Sequence, residues 1–211
     1  MQKERARQIS LNTTKRVVLI GVMTAVLTGG KMALSFLPNI EVVTLFTALF
    51  GYVFGWAGVI SILFFVLIEP LIWGFGTWFF SYLIYWPLVA VVFWILGKFK
   101  VKNRFLLTGV ALLLTLFFGV LTSLVDVGLF SGNFQNFFTR FSIYYLRGIT
   151  FYVLQLACNL LTFLFVFPVL SPLLQKLQKR FFTYKSKVIR EGERDKQTEE
   201  ILPQKEESPQ N

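Results

Sequence analysis

The sequence predicts an all-α membrane protein: a bundle of six transmembrane helices with both termini in the cytoplasm. Three observations carry this. Of the 211 residues 55% are hydrophobic and only 15% charged, more apolar surface than one soluble core of this length hides. Apolar stretches of about twenty residues recur, each long enough as a helix to cross a hydrocarbon layer of about 30 Å. The basic residues fall in three clusters that an even number of crossings places on one side.

The chain divides into a basic N-terminal segment, 1–16, a membrane domain, 17–175, and a charged tail, 176–211, largely disordered because it holds too few apolar groups to fold alone. Spans are expected at 17–36, 41–55, 56–73, 78–97, 105–129 and 142–168. The second and third form one run broken only by Gly51, Gly55 and Gly58. The run is too long for a single kinked crossing, so a tight turn is placed at "FGWAG". A β-barrel is excluded by continuous runs such as "VALLLTLFFGVLTSLV", which do not alternate. A secretory signal at the first span is disfavoured because that span contains Lys31 and leads straight into further spans.

Lys3, Arg5, Arg7, Lys15 and Arg16 precede span one; Lys98, Lys100, Lys102 and Arg104 fill the connection between spans four and five; Lys176, Lys179, Arg180, Lys185 and Lys187 follow span six. Such clusters mark the cytoplasmic side of a cell membrane; Lys176 to Lys187 also offer contacts for anionic lipid, beside the plainer reading of a solvated basic flank. The net charge of +10 therefore speaks for topology, and nucleic acid is not expected as a partner. There is no histidine and a single cysteine, Cys158, so no metal site, disulfide framework or cofactor is predicted.

Ionisable residues inside spans are costly and mark candidate function. Five qualify: Lys31, Glu41, Glu69, Asp126 and Arg147, all toward the outer side, with Arg147 a candidate partner for Asp126. At the same level lie Trp73, Phe75, Trp78, Phe79, Phe80, Tyr82, Tyr85 and Trp86. An interfacial aromatic belt accounts for several of these, but a belt does not call for Glu69. A pocket that stacks a flat ring and orients it with a few charges does. The candidate substrate-binding set is Lys31, Asn39, Glu41, Glu69, Trp73, Trp78, Tyr82, Trp86, Asp126 and Arg147, with Asn39 and Glu41 in the short "LPNIE" connection at the pocket rim. In span one, Gly21, Ala25, Gly29 and Ala33 recur every fourth residue and line one face with small side chains. Packing within the chain and docking of a second protein both account for such a face.

The stretches "GVMTAVLTGGKMA", "LPNIEVVTLFTALFGYVFGWAGVI" and "EPLIWGFGTWFFSYLIYWPL" resemble the substrate-binding S components of energy-coupling factor transporters, small six-helix bacterial proteins that capture vitamins. The likeness covers about residues 15 to 175, with glycine at Gly21 and Gly29 where alanine is frequent in the family. It implies a non-catalytic subunit that binds a small, heteroaromatic vitamin or precursor. It also implies docking of the span-one face on a transmembrane coupling subunit, and release driven by two ATPase subunits. In keeping with that, the chain has no "GxxxxGK[ST]" phosphate loop. Two alternatives stand beside this reading: an intramembrane enzyme using Glu41, Glu69 or Asp126, for which no complete constellation assembles, and an autonomous secondary transporter, which usually carries polar groups on both sides of the midplane.

Overall fold

A computed structural model describes residues 2–36, 42–130 and 136–182, with side chains over 13–36, 42–129 and 136–182. Most of the described residues are helical, with no strand among them. The helices are α1 (Gln2–Ala33), α2 (Val43–Phe54), α3 (Trp56–Trp73), α4 (Trp78–Lys98), α5 (Arg104–Phe130), α6 (Phe137–Arg147) and α7 (Ile149–Leu161). Beyond α7 the chain passes through a π-helical stretch, Thr162–Val166, and stays helical to the end of the first compact unit, Met1–Gln175. The second unit, Lys176–Asn211, is helical to residue 182. The disorder expected beyond that point lies outside the described residues.

Among the described residues five helical segments are long and apolar enough to cross a membrane: Thr13–Ala33, Trp56–Trp73, Trp78–Lys98, Arg104–Leu129 and one that begins at Ile149. α2 is apolar but has only 12 residues, about 18 Å of helix. It is apolar on every side because it is surrounded: nine of its residues are buried, among them Val43, Leu45, Ala48, Leu49 and Phe50. It packs against α4, α3 and α1, and Ile62, Phe65, Val89 and Phe93 fill the core beside it.

The turn expected at "FGWAG" is present, and it is made by one residue. Gly55 has φ +61°, a conformation that side chains other than glycine rarely adopt, so α2 ends and α3 begins around it. The two neighbouring glycines allow backbones to touch. A Cβ at Gly58 would meet the Phe50 carbonyl, and one at Gly51 the Ala90 carbonyl of α4. Gly51→Ala is therefore expected to destabilise the bundle by about 1 to 3 kcal/mol through overpacking. Gly21→Ala, where nothing lies within 4 Å of the added carbon, serves as the neutral control. Thermal unfolding in detergent compares the two, and equal melting temperatures would refute the close approach of α2 and α4.

One expected span is corrected. Span six was placed at 142–168, but the helix breaks at Gly148. The 11-residue α6, which has no buried residue, ends there, and the long apolar helix starts at Ile149. Gly148 sits where a side chain would strike the Tyr152 ring. Ile143, Tyr144, Tyr145 and Leu146 carry the apolar pattern up to Arg147, which is why the expected span takes them in.

Candidate functional site: an ion pair in an aromatic cage

On α1 the buried residues Met23, Thr24 and Leu27 form one face, fastened to α3 where the Thr24 hydroxyl donates to the Ser61 carbonyl at 3.1 Å. One turn beyond Leu27 this same face carries Lys31. Its ammonium donates to Oε2 of Glu69 on α3, forming an ion pair. The Lys31 side chain is 24% exposed and that of Glu69 only 1%.

Four rings surround the ammonium. Its nitrogen lies 5.0 Å from the ring centre of Tyr82, 5.8 Å from Trp73, 5.9 Å from Trp78 and 6.0 Å from Phe65, all at about the range of cation–π attraction. Helical spacing puts them there. Phe65 is one turn before Glu69 and Trp73 one turn after it, while Trp78, Tyr82 and Trp86 follow at four-residue steps along α4. The "GFG" connection, with Gly74 at φ +79°, brings the end of α3 round to the start of α4. Tyr82 is edge-on to Trp78 at 5.1 Å and to Trp86 at 5.5 Å, and behind them Phe118 of α5 packs on Tyr85 at 4.6 Å and on Trp86 at 6.0 Å.

Among the buried polar atoms with no hydrogen-bond partner among the described residues are two that belong to residues of this site: Oε1 of Glu69 and Nε1 of Trp86. Buried polar atoms ordinarily find partners, so an unused acceptor and an unused donor in an aromatic wall are what a bound polar ring would use. Stacking faces, one ion pair and two open hydrogen-bonding atoms suit recognition of a small molecule. The described residues hold no cluster of three or more His, Cys, Asp or Glu able to bind a metal.

Of the ten expected substrate-binding residues, six meet here: Lys31, Glu69, Trp73, Trp78, Tyr82 and Trp86. Asn39 and Glu41 lie outside the described residues. Asp126 and Arg147 are not part of the cage. Asp126 is half-buried near the end of α5, Arg147 is exposed at the last position of α6, and no ion pair joins them. The break at Gly148 is the reason, since it takes Arg147 out of the apolar helix in which the pairing was expected. Sequence reading missed Phe65 and Phe118. The four-residue step from Phe65 to Glu69 was available as a signal, whereas nothing local marks Phe118, which reaches the site from another helix.

The expected small-residue face is open. Gly21, Ala25, Gly29 and Ala33 are all exposed, and a Cβ at Gly21 or Gly29 would touch nothing. At 100° per residue Gly29 lies about 200° round α1 from the buried Leu27. Packing within the chain therefore does not explain the stripe.

These features define a multi-pass α-helical membrane protein with a charged, aromatic-lined site at one end of its bundle. No protein-family model matches the chain, and comparison with curated proteins and with solved structures likewise returns no match.

Proposed function

We propose that the chain is a substrate-capture subunit of an ATP-driven uptake system of the energy-coupling factor type, binding a small heteroaromatic micronutrient at the Lys31–Glu69 cage. The observation that carries this is the cage itself: a carboxylate and an ammonium placed among four aromatic rings, with acceptor Oε1 of Glu69 unused. The exposed small-residue stripe on the far side of α1 supports a docking role toward a transmembrane coupling subunit, with two ATPase subunits supplying the energy.

In this reading α2 crosses the membrane together with the five longer helices. The N-terminal basic segment, the 98–104 connection and the C-terminal tail then face the cytoplasm of a bacterial cell. The cage faces outward. α4 runs from Trp78 at the cage to Lys98 at the basic connection, about 31 Å of helix, enough to put these two ends at opposite membrane faces. A cysteine introduced at position 100 is expected to resist an impermeant thiol reagent in intact cells and to react after permeabilisation. Labelling in intact cells would reverse the orientation.

Tryptophan fluorescence tests the binding function. Trp73, Trp78 and Trp86 belong to the site, whereas Trp56 and Trp94 pair with each other at 5.3 Å near the Gly55 turn, at the other end of α3 and α4. A vitamin panel titrated against the detergent-solubilised chain, without ATP, is expected to yield one ligand that changes emission in wild type. Trp78→Ala should reduce both the signal and the affinity. Wild-type affinity in Trp78→Ala for a confirmed ligand would remove the cage as its site.

A further inference from the structure

We propose a second site at the basic end of the bundle, where Lys102 and Arg104 hold the phosphate of an anionic phospholipid. This site is independent of the substrate reading above. A cavity of about 310 Å³ opens there between the ends of α2 and α5 and the helix that continues α7. Its charged lining residues are Lys102 and Arg104, with no carboxylate; Ser171 and Gln175 add polar groups, and Leu107, Phe167 and Pro168 supply an apolar wall. Among the described residues neither cation forms an ion pair. Two cations over a cavity with hydroxyl and amide donors match the oxygens of a phosphate.

The segment that presents the cations is built firmly. Lys100 makes a left-handed turn at φ 54°, and its N–H and that of Val101 are accepted by the Gly97 and Leu96 carbonyls at 3.0 and 3.1 Å. The Tyr52 hydroxyl donates to the Val101 carbonyl at 2.8 Å. A Cβ at Gly97 would strike the Tyr52 backbone, so α4 and α2 lie in direct backbone contact there. On the other side the Asn103 carboxamide accepts the N–H groups of Phe105 and Leu106 at 2.9 and 3.3 Å, starting α5. The backbone on both sides of Lys102 is therefore anchored without using either cationic side chain.

The surroundings favour a lipid over a free ion. Phe105, Leu106 and Val169, adjacent in sequence to lining residues, are 65%, 51% and 66% exposed. Such side chains suit acyl chains better than water. A headgroup phosphate at Lys102 and Arg104 would leave its chains along these faces.

Native mass spectrometry on the delipidated full chain, titrated with phosphatidylglycerol, phosphatidylcholine or inorganic phosphate, tests the site. Wild type is expected to retain phosphatidylglycerol in preference to phosphatidylcholine. The neutralised pair Lys102→Gln/Arg104→Gln should lose roughly 30-fold in affinity, the summed contribution of two basic groups at an anionic surface. Lys98→Gln/Lys100→Gln removes the same charge outside the cavity and should bind as wild type. Ser171→Leu, which narrows the cavity without altering charge, should also weaken retention. Equal losses in the two neutralised pairs, wild-type retention in Ser171→Leu, or equal binding of the two lipids would overturn the proposal. Binding of inorganic phosphate without phosphatidylglycerol would overturn the lipid assignment.

Discussion

Glu69→Gln is expected to weaken ligand binding about tenfold or more, and to lower the stability of the bundle by about 3 kcal/mol. The two effects have separate causes. The stability loss arises because the substitution leaves the Lys31 ammonium facing an uncharged amide in a largely buried place. Breaking a buried pair costs about 3 to 5 kcal/mol, and the low end applies because the Lys31 side chain keeps 24% exposure. The binding loss arises because a carboxylate is a stronger acceptor than an amide, and a charged hydrogen bond in a desolvated site contributes about 1.5 to 3 kcal/mol. Removing both partners separates them. Lys31→Met/Glu69→Gln should regain most of the stability, since no isolated charge remains, while binding stays weak. Unfolding in detergent and ligand titration of the three proteins decide the matter. If the double variant is no more stable than Glu69→Gln, the two side chains are not energetically coupled. If Glu69→Gln binds a confirmed ligand as wild type does, the carboxylate does not contact it.

Substituting the open face of α1 is expected to give the opposite pattern. In Gly29→Leu or Ala25→Leu, uptake in cells should be abolished while the purified chain binds its ligand and unfolds as wild type. The position of the residues argues for this separation. Both are exposed on the side of α1 turned away from Met23, Leu27 and Lys31, and a Cβ at Gly29 meets nothing, so a leucine has no neighbour within the chain to displace. Its bulk is felt only by a helix that approaches closely from outside, where small residues permit backbone contact. Uptake assays in cells and titration of purified protein give the two readouts. Full uptake in both variants would refute the docking role. Loss of binding together with uptake would instead place this face inside the folding or ligand-binding unit.

Much of this architecture was readable in the sequence because its causes are local. Helix length and apolar content marked the spans, and three closely spaced glycines marked a turn that in the structure rests on Gly55. Crowding of aromatics around one connection singled out Trp78, Tyr82 and Trp86, and four-residue spacing placed Gly21, Ala25, Gly29 and Ala33 on one side of α1. The cost of burying charge singled out Lys31 and Glu69. The sequence reading passes over the break at Gly148, because Ile143 to Leu146 before it are apolar like the helix after it, and Arg147 reads as a charged residue within a single span. That break removed Arg147 from the site, since a residue placed about a turn and a half inside a span became the end of a separate, exposed helix.

What the sequence determined by itself is therefore which segments are apolar helices and which residues share a face of each, properties that backbone periodicity and hydrophobicity set one helix at a time. What only the tertiary structure decided is which faces meet. Lys31 and Glu69, 38 residues apart, pair because α1 packs on α3. Phe118 backs the cage because α5 lies behind α4. Lys102 and Arg104 overlook a cavity because the end of α2 and the helix beyond α7 come beside them. Each of these contacts depends on how several helices pack together, an arrangement that the side-chain period of any one helix does not encode.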